Sequence, residues 1–191
     1  ETEAATRQYA VAVGFQNQKL FDAAIDEWQT FLKKFPNDPR VDRGHHYLGT
    51  CCLQEKRYDD AIAAFRKVIK DYPKCELLDQ STLNLGIASY GRAQKSGKDN
   101  DYQKAERAFG QMLARFSDSE YAARALYYRG ECLYQLKQTR QAAAAYEQFS
   151  NKYPDHELAP DAIYALGTIF EQFRDPQNAY AAYLRAKAIH P

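Results

Sequence analysis

Histidines, cysteines and carboxylates are the side chains that catalysis or metal binding would recruit first, and in this 191-residue chain their spacing does not assemble a site. The only histidine pair is His45-His46. Neighbours on a helix point about 100° apart, so they cannot easily share one metal ion. His45 falls at a packing position and reads as a core histidine, while His156 and His190 lie in or beside turns. Cys51, Cys52, Cys75 and Cys132 form no C-x-x-C, and the adjacent pair has a geometry that disulfides rarely satisfy. They read as small, buried apolar residues. There is no Gly-rich phosphate loop, no H-E-x-x-H and no G-x-S-x-G. The carboxylates are scattered over helix faces, where solvated ion pairing is the default. The expectation is a chain without a catalytic site, a metal or a cofactor.

Composition bounds the class of protein and of partner. Apolar residues make up 45% and charged residues 27%, which is globular and not disordered. The formal net charge is +1, so no field steers nucleic acid or anionic membrane to the surface. No apolar stretch approaches the roughly 20 residues of a membrane span. Starting at Glu1 without a Met, the sequence reads as a processed or cut product, so the lack of a signal segment says nothing about compartment.

The elements that position these residues emerge from an internal repeat. Aromatic-proline steps occur at Phe35-Pro36, Tyr72-Pro73 and Tyr153-Pro154, with Phe116-Ser117 and His190-Pro191 in equivalent places. Their second members are spaced 37, 44, 37 and 37 residues apart. Upstream of each lies an Ala followed four residues later by an aromatic: Ala24/Trp28, Ala61/Phe65, Ala105/Phe109, Ala142/Tyr146 and Ala179/Tyr183, with the same spacings. Leu48-Gly49, Leu85-Gly86, Arg129-Gly130 and Leu166-Gly167 keep the register, and Val11-Ala12 takes their place in the first unit. Three independent markers in one register define five units, near 5–38, 42–75, 79–119, 123–156 and 160–191.

Each unit reads as two helices, A and B. Ala61, Phe65, Val68, Ile69 and Tyr72 hold one face of a B helix over three turns, and Ile163, Leu166, Gly167 and Phe170 do so for an A helix. Pro160 opens the last A helix as a first-turn proline should. No segment alternates convincingly with period two, so no sheet is expected. From Gly86 to Ala105 the third unit carries seven extra residues, an insertion near 92–101. The A helix is expected to run to about Ala93, followed by a polar loop over 95–101 whose role, functional or merely tolerated, stays open.

These residues resemble the tetratricopeptide repeat. The second unit carries His45, Leu48-Gly49, Cys52, Ala61, Phe65 and Pro73 at the family's marker positions, and the fifth carries Ile163, Leu166-Gly167, Phe170, Ala179, Tyr183 and Pro191. The resemblance covers essentially the whole chain; it lacks the family's first Trp throughout and has Ser117 for Pro in the third unit. It implies an all-α fold, an α-α superhelix, as a right-handed solenoid of five hairpins that bury their apolar faces by stacking. It also implies a scaffold that binds a protein or peptide on its concave face, with no enzymatic activity.

In the family that face is lined by A-helix positions 2, 5, 9, 12 and 13. Carried over, these positions nominate Tyr9, Arg43, His46, Tyr90, Arg124, Tyr127, Tyr134 and Tyr164 as partner-binding residues. Tyrosines are enriched among binding hot spots. The cationic clamp by which co-chaperones of the family grip a C-terminal carboxylate cannot be assembled, because the matching places hold Tyr9/Val13, His46/Thr50, Leu83/Ile87, Tyr127/Glu131 and Tyr164/Thr168. The period near 37 and the stretch Tyr153 to Ala162 also look like bacterial envelope members of the superfamily, such as TolA-binding division coordinators and the lipoprotein of outer-membrane assembly. That likeness points to a periplasmic or outer-membrane-associated setting; four unpaired-looking cysteines point to the cytoplasm. An alternative reading is a structural or self-associating module docking through its C-terminal end, where Tyr180, Ala182, Tyr183, Ala186 and Ile189 wrap much of the last helix.

Overall fold

The computed structural model describes residues 2–189. The expected anchor at His190-Pro191 therefore lies outside the described residues. Among the described residues the chain forms ten helices and no strand: α1 (Glu3–Asn17), α2 (Phe21–Lys34), α3 (Val41–Gln54), α4 (Tyr58–Asp71), α5 (Leu78–Ser96), α6 (Asp99–Arg115), α7 (Ala122–Gln135), α8 (Thr139–Lys152), α9 (Ala159–Gln172) and α10 (Pro176–Ile189). Odd-numbered helices are A helices and even-numbered ones are B helices. None is long and apolar enough to cross a membrane.

Two recurrent turns hold this pattern. After α1, α3, α7 and α9 the chain turns through a left-handed residue, at Lys19, Lys56, Lys137 and Arg174 (φ 56° to 60°). Lys19 N–H bonds Gln16 C=O and Leu20 N–H bonds Phe15 C=O, the double closure that satisfies orphan carbonyls at a helix end. The same pair recurs at Lys56/Arg57, Lys137/Gln138 and Arg174/Asp175. A cation here also suits the negative pole of the helix. After the B helices, Phe35, Tyr72, Phe116 and Tyr153 all take extended φ between −127° and −134°. A following proline enforces that conformation in three of them. Phe116 adopts it before Ser117, so the lost proline costs the turn no geometry.

The seven extra residues of the third hairpin go elsewhere than expected. α5 extends to 19 residues and α6 to 17, against 14 for most of the others. Only Gly97 and Lys98 separate them, with Gly97 at φ +66°. The polar loop over 95–101 is thus replaced by helix on both sides of a two-residue turn. Asp99 and Asp101 suit the first turn of α6, where carboxylates meet the positive helix end.

The chain divides into two units, one up to Ser96 and one from Gly97 onward. In the first, Trp28, Phe31 and Phe65 are fully buried; in the second, Phe109, Tyr146 and Phe149 are. The glycines explain how A and B helices meet. A Cβ at Gly130 would lie 2.8 Å from Cε1 of Tyr146, and one at Gly167 would lie 2.6 Å from Cε1 of Tyr183. The B-helix aromatic therefore lies on the A-helix glycine of its own hairpin.

All four cysteines are free and buried. Burial pushes the Cys51 thiol up to about 12 and those of Cys52 and Cys75 up to about 11. They pack as small apolar groups, Cys75 included, although it sits beside a turn.

Candidate functional site

In the unit up to Ser96, the nominated residues do different things. Tyr9 on α1 packs edge-on against Trp28 and Phe31, with ring centroids 4.9 and 5.3 Å apart. The Arg40 guanidinium lies 4.8 Å from the Tyr9 ring centre, held there by Asp38 through bonds of 2.8 and 2.9 Å. Burial raises the Tyr9 hydroxyl above its ordinary value, helped by Tyr47 and opposed by Arg43 and Arg40. Tyr9 is a half-buried pillar with one edge open. Arg43 stands at the surface and donates to Glu76 Oε2 at 2.5 Å.

His46 and Tyr90 do not line an open face. His46 is 2% exposed and Tyr90 8% exposed, which removes both from the accessible set. His46 Nδ1 lies 2.8 Å from Ser81 Oγ, joining α3 to α5, and the ring packs edge-on against Tyr47 and Phe65. With no charged partner to offset burial, its imidazole is held down at about 4. The expected roles of the pair are exchanged, since His45 is the partly exposed one, against Tyr72. Position 5 of an A helix faces the next A helix closely here, and a one-residue offset decides which imidazole is dry.

In the unit from Gly97 onward, Arg124, Tyr127 and Tyr134 on α7 are partly buried, and Tyr164 on α9 is 61% exposed. Tyr127 packs on Tyr128, Tyr146 and Phe149 at 5.3, 6.1 and 5.9 Å. Burial, then the carboxylates of Glu131 and Asp161, push its hydroxyl far up, so it stays a neutral donor. Tyr146 donates to Glu131 Oε1 at 2.5 Å. Gln172 Nε2 donates to the Tyr134 hydroxyl at 2.9 Å, tying position 12 of α7 to position 13 of α9. Tyr164 leans on Tyr183 with centroids 5.1 Å apart. The A-helix face of this unit thus presents hydroxyls, aromatic edges and the Arg124 cation side by side.

Sequence reasoning missed the Arg40 clamp over Tyr9 and the bridging Gln172. The Asp38-Pro39-Arg40 spacing in the turn signalled the first; the second depends on hairpin stacking and leaves no local mark. It also missed a polar seam: Arg129 replaces the usual Leu, and Glu106 the usual Ile, and the two pair at 2.8 Å. Among the described residues no three His, Cys, Asp or Glu side chains gather into a metal-binding group.

Comparison with known proteins places this geometry. MamA from Desulfovibrio magneticus RS-1 superposes with a TM-score of 0.80 at 15% identity, over 98% of this chain and 96% of that one. YrrB, described as a tetratricopeptide protein with an unusual peptide-binding site, gives a TM-score of 0.70 at 16% identity, over 94% of this chain and 83% of that one. Tetratricopeptide-like repeats of a putative kinesin light chain from Podosopora anserina give 0.72 at 15% identity, over 99% and 97%. A search of curated protein sequences returned no match. Two family models, both described as tetratricopeptide repeat, match residues 5–74 and 124–156, together more than half of the chain. With the repeat register, the all-α hairpins and these matches in agreement, the chain belongs to the tetratricopeptide repeat family.

Proposed function

We propose that this chain is a protein–protein interaction scaffold that holds a peptide segment of a partner against its A-helix face, and that it is not an enzyme. The observation that carries this reading is the joined surface of α7 and α9, where Tyr134, Gln172, Tyr164 and Arg124 stand open enough to touch a ligand. Such a surface offers flat apolar area with hydroxyl donors, which suits an extended or helical peptide. YrrB, of like fold, supports the peptide-binding class. In the other unit, Arg43 and the open edge of Tyr9 offer a lesser set; His46 and Tyr90 act from beneath as supports.

The proposal extends to setting. The period near 37 residues and the stretch from Tyr153 to Ala162 support a bacterial-envelope role in assembly or division. Fractionation of source cells checks this, and recovery wholly in the cytoplasm removes it. Binding itself is tested by capture from source extract with the native chain beside an Arg124→Ala/Tyr134→Ala/Tyr164→Ala variant. Proteins retained by the first and lost by the second support the reading. Identical captures on both refute it.

A further inference from the structure

The A-helix face of α7 and α9 carries a charge that the other A helices lack. At position 9 the chain places Val13, Thr50, Ile87 and Thr168, and α7 alone places a carboxylate there, Glu131. At the groove positions of α1, α3 and α5 there is one cation, Arg43, besides His46, and no Asp or Glu. At those of α7 and α9 stand Glu131, Asp161 and Glu171 against Arg124. This face is therefore net acidic on a chain whose formal charge is +1.

Packing alone does not call for that carboxylate. Tyr146 donates to Glu131 Oε1 at 2.5 Å, but in the next hairpin the equivalent Tyr183 hydroxyl donates to Thr168 Oγ1 at 3.5 Å. A neutral side chain at position 9 can thus serve the phenol, and Glu131 adds a negative charge. Around it the stripe is aromatic, with Tyr127 four residues before and Tyr134 three after, on the same helix face. Asp161, exposed on α9, reaches toward this stripe. After burial, Glu131 and Asp161 are the groups that hold the Tyr127 hydroxyl protonated, so the Asp161 carboxylate faces α7. Gln172 closes the other end of the stripe through its 2.9 Å bond to the Tyr134 hydroxyl. Carboxylates from two helices therefore converge on one run of tyrosines inside the hairpin stack.

We infer that the peptide segment received by this face carries a lysine or arginine, whose cation lies between Glu131 and Asp161 and whose stem lies along the Tyr134 ring. The inference rests on the A-helix reading above and names the chemistry of its partner. A cation there gains from both carboxylates and from the negative faces of the tyrosine rings. The aliphatic stem of either residue suits the apolar part of the stripe. An acidic segment meets the same carboxylates repulsively, with Arg124 alone to offset them. The attraction is strongest at low ionic strength and is screened as salt rises.

The probe is a random peptide display library selected on the native chain, with the enriched peptides synthesised and titrated. They are expected to share a lysine or arginine. Replacing that residue by Gln should weaken binding at least about ten-fold on the native chain, but less than about two-fold on a Glu131→Gln/Asp161→Asn chain of unchanged melting temperature. A purely structural role for the two carboxylates would not couple them to one residue of the peptide. Equal losses on the two chains, or enriched peptides with no shared basic residue, overturn the inference. Tyr134→Ala reads the underlying proposal separately. Peptides without a basic residue that lose binding on the Tyr134→Ala chain overturn the inference and leave the A-helix site standing. Peptides indifferent to Tyr134→Ala, or no enrichment at all, overturn both.

Discussion

His46 shows how one residue's surroundings decide its chemistry. Its imidazole is 2% exposed, bonded to Ser81 and held down at about 4 by burial, against 6.5 when the chain is unfolded. The unfolded chain therefore binds the proton first as pH falls. The stabilisation is whole above 6.5 and is lost as pH drops from 6.5 toward 4, about 3 kcal/mol in all. His45, also held below its ordinary value by burial, acts in the same direction. Denaturant unfolding at pH 7 and pH 4.5 should show this loss, and His46→Leu should shrink it. A pH response identical in the variant would contradict the burial of His46. The sequence placed this residue at an A-helix groove position but could not say that Ser81 and Phe65 would seal it, because their closeness arises from stacking. Tyr127 was legible as a surface aromatic only in part. Its ring supports the core through Tyr146 and Phe149, whereas Tyr164 stands 61% exposed.

At the scale of elements, the repeat register was readable almost in full. Gly49, Gly130 and Gly167 each lie against the aromatic of their own hairpin, and the aromatic-proline steps at Phe35, Tyr72 and Tyr153 each close a B helix. Gly130 is the clearest, since a Cβ there would lie 2.8 Å from the fully buried Tyr146. Gly130→Leu is expected to cost about 1–3 kcal/mol by overpacking, read as a lower melting temperature. The left-handed turn residues were not foreseen, because lysine and arginine carry no turn signal of their own. Only their recurrence, with Lys19 and Lys56 37 apart and Lys137 and Arg174 37 apart, could have revealed them. A side chain in that conformation is strained, so Lys137→Gly should raise stability by about 1 kcal/mol. An unchanged or lower melting temperature would argue that the lysine charge at the helix end outweighs the strain. The loop expected over 95–101 failed for a related reason. Its polar composition suits a loop, yet Asp99 and Asp101 suit a helix start equally, and about seven residues make two helical turns.

For the whole molecule, the family matches and the run of helical hairpins support the proposed reading, in which the hairpin surfaces receive a partner. In that proposal, the surface within the unit from Gly97 onward is the one where Gln172 on α9 bonds Tyr134 on α7. Selection of a random peptide display library on the native chain, followed by titration of the enriched peptides, measures this most directly. The account predicts peptides whose affinity falls about ten-fold or more on a Tyr134→Ala/Tyr164→Ala chain of unchanged helicity. No enrichment on the native chain, or peptides that bind both chains equally, would contradict it.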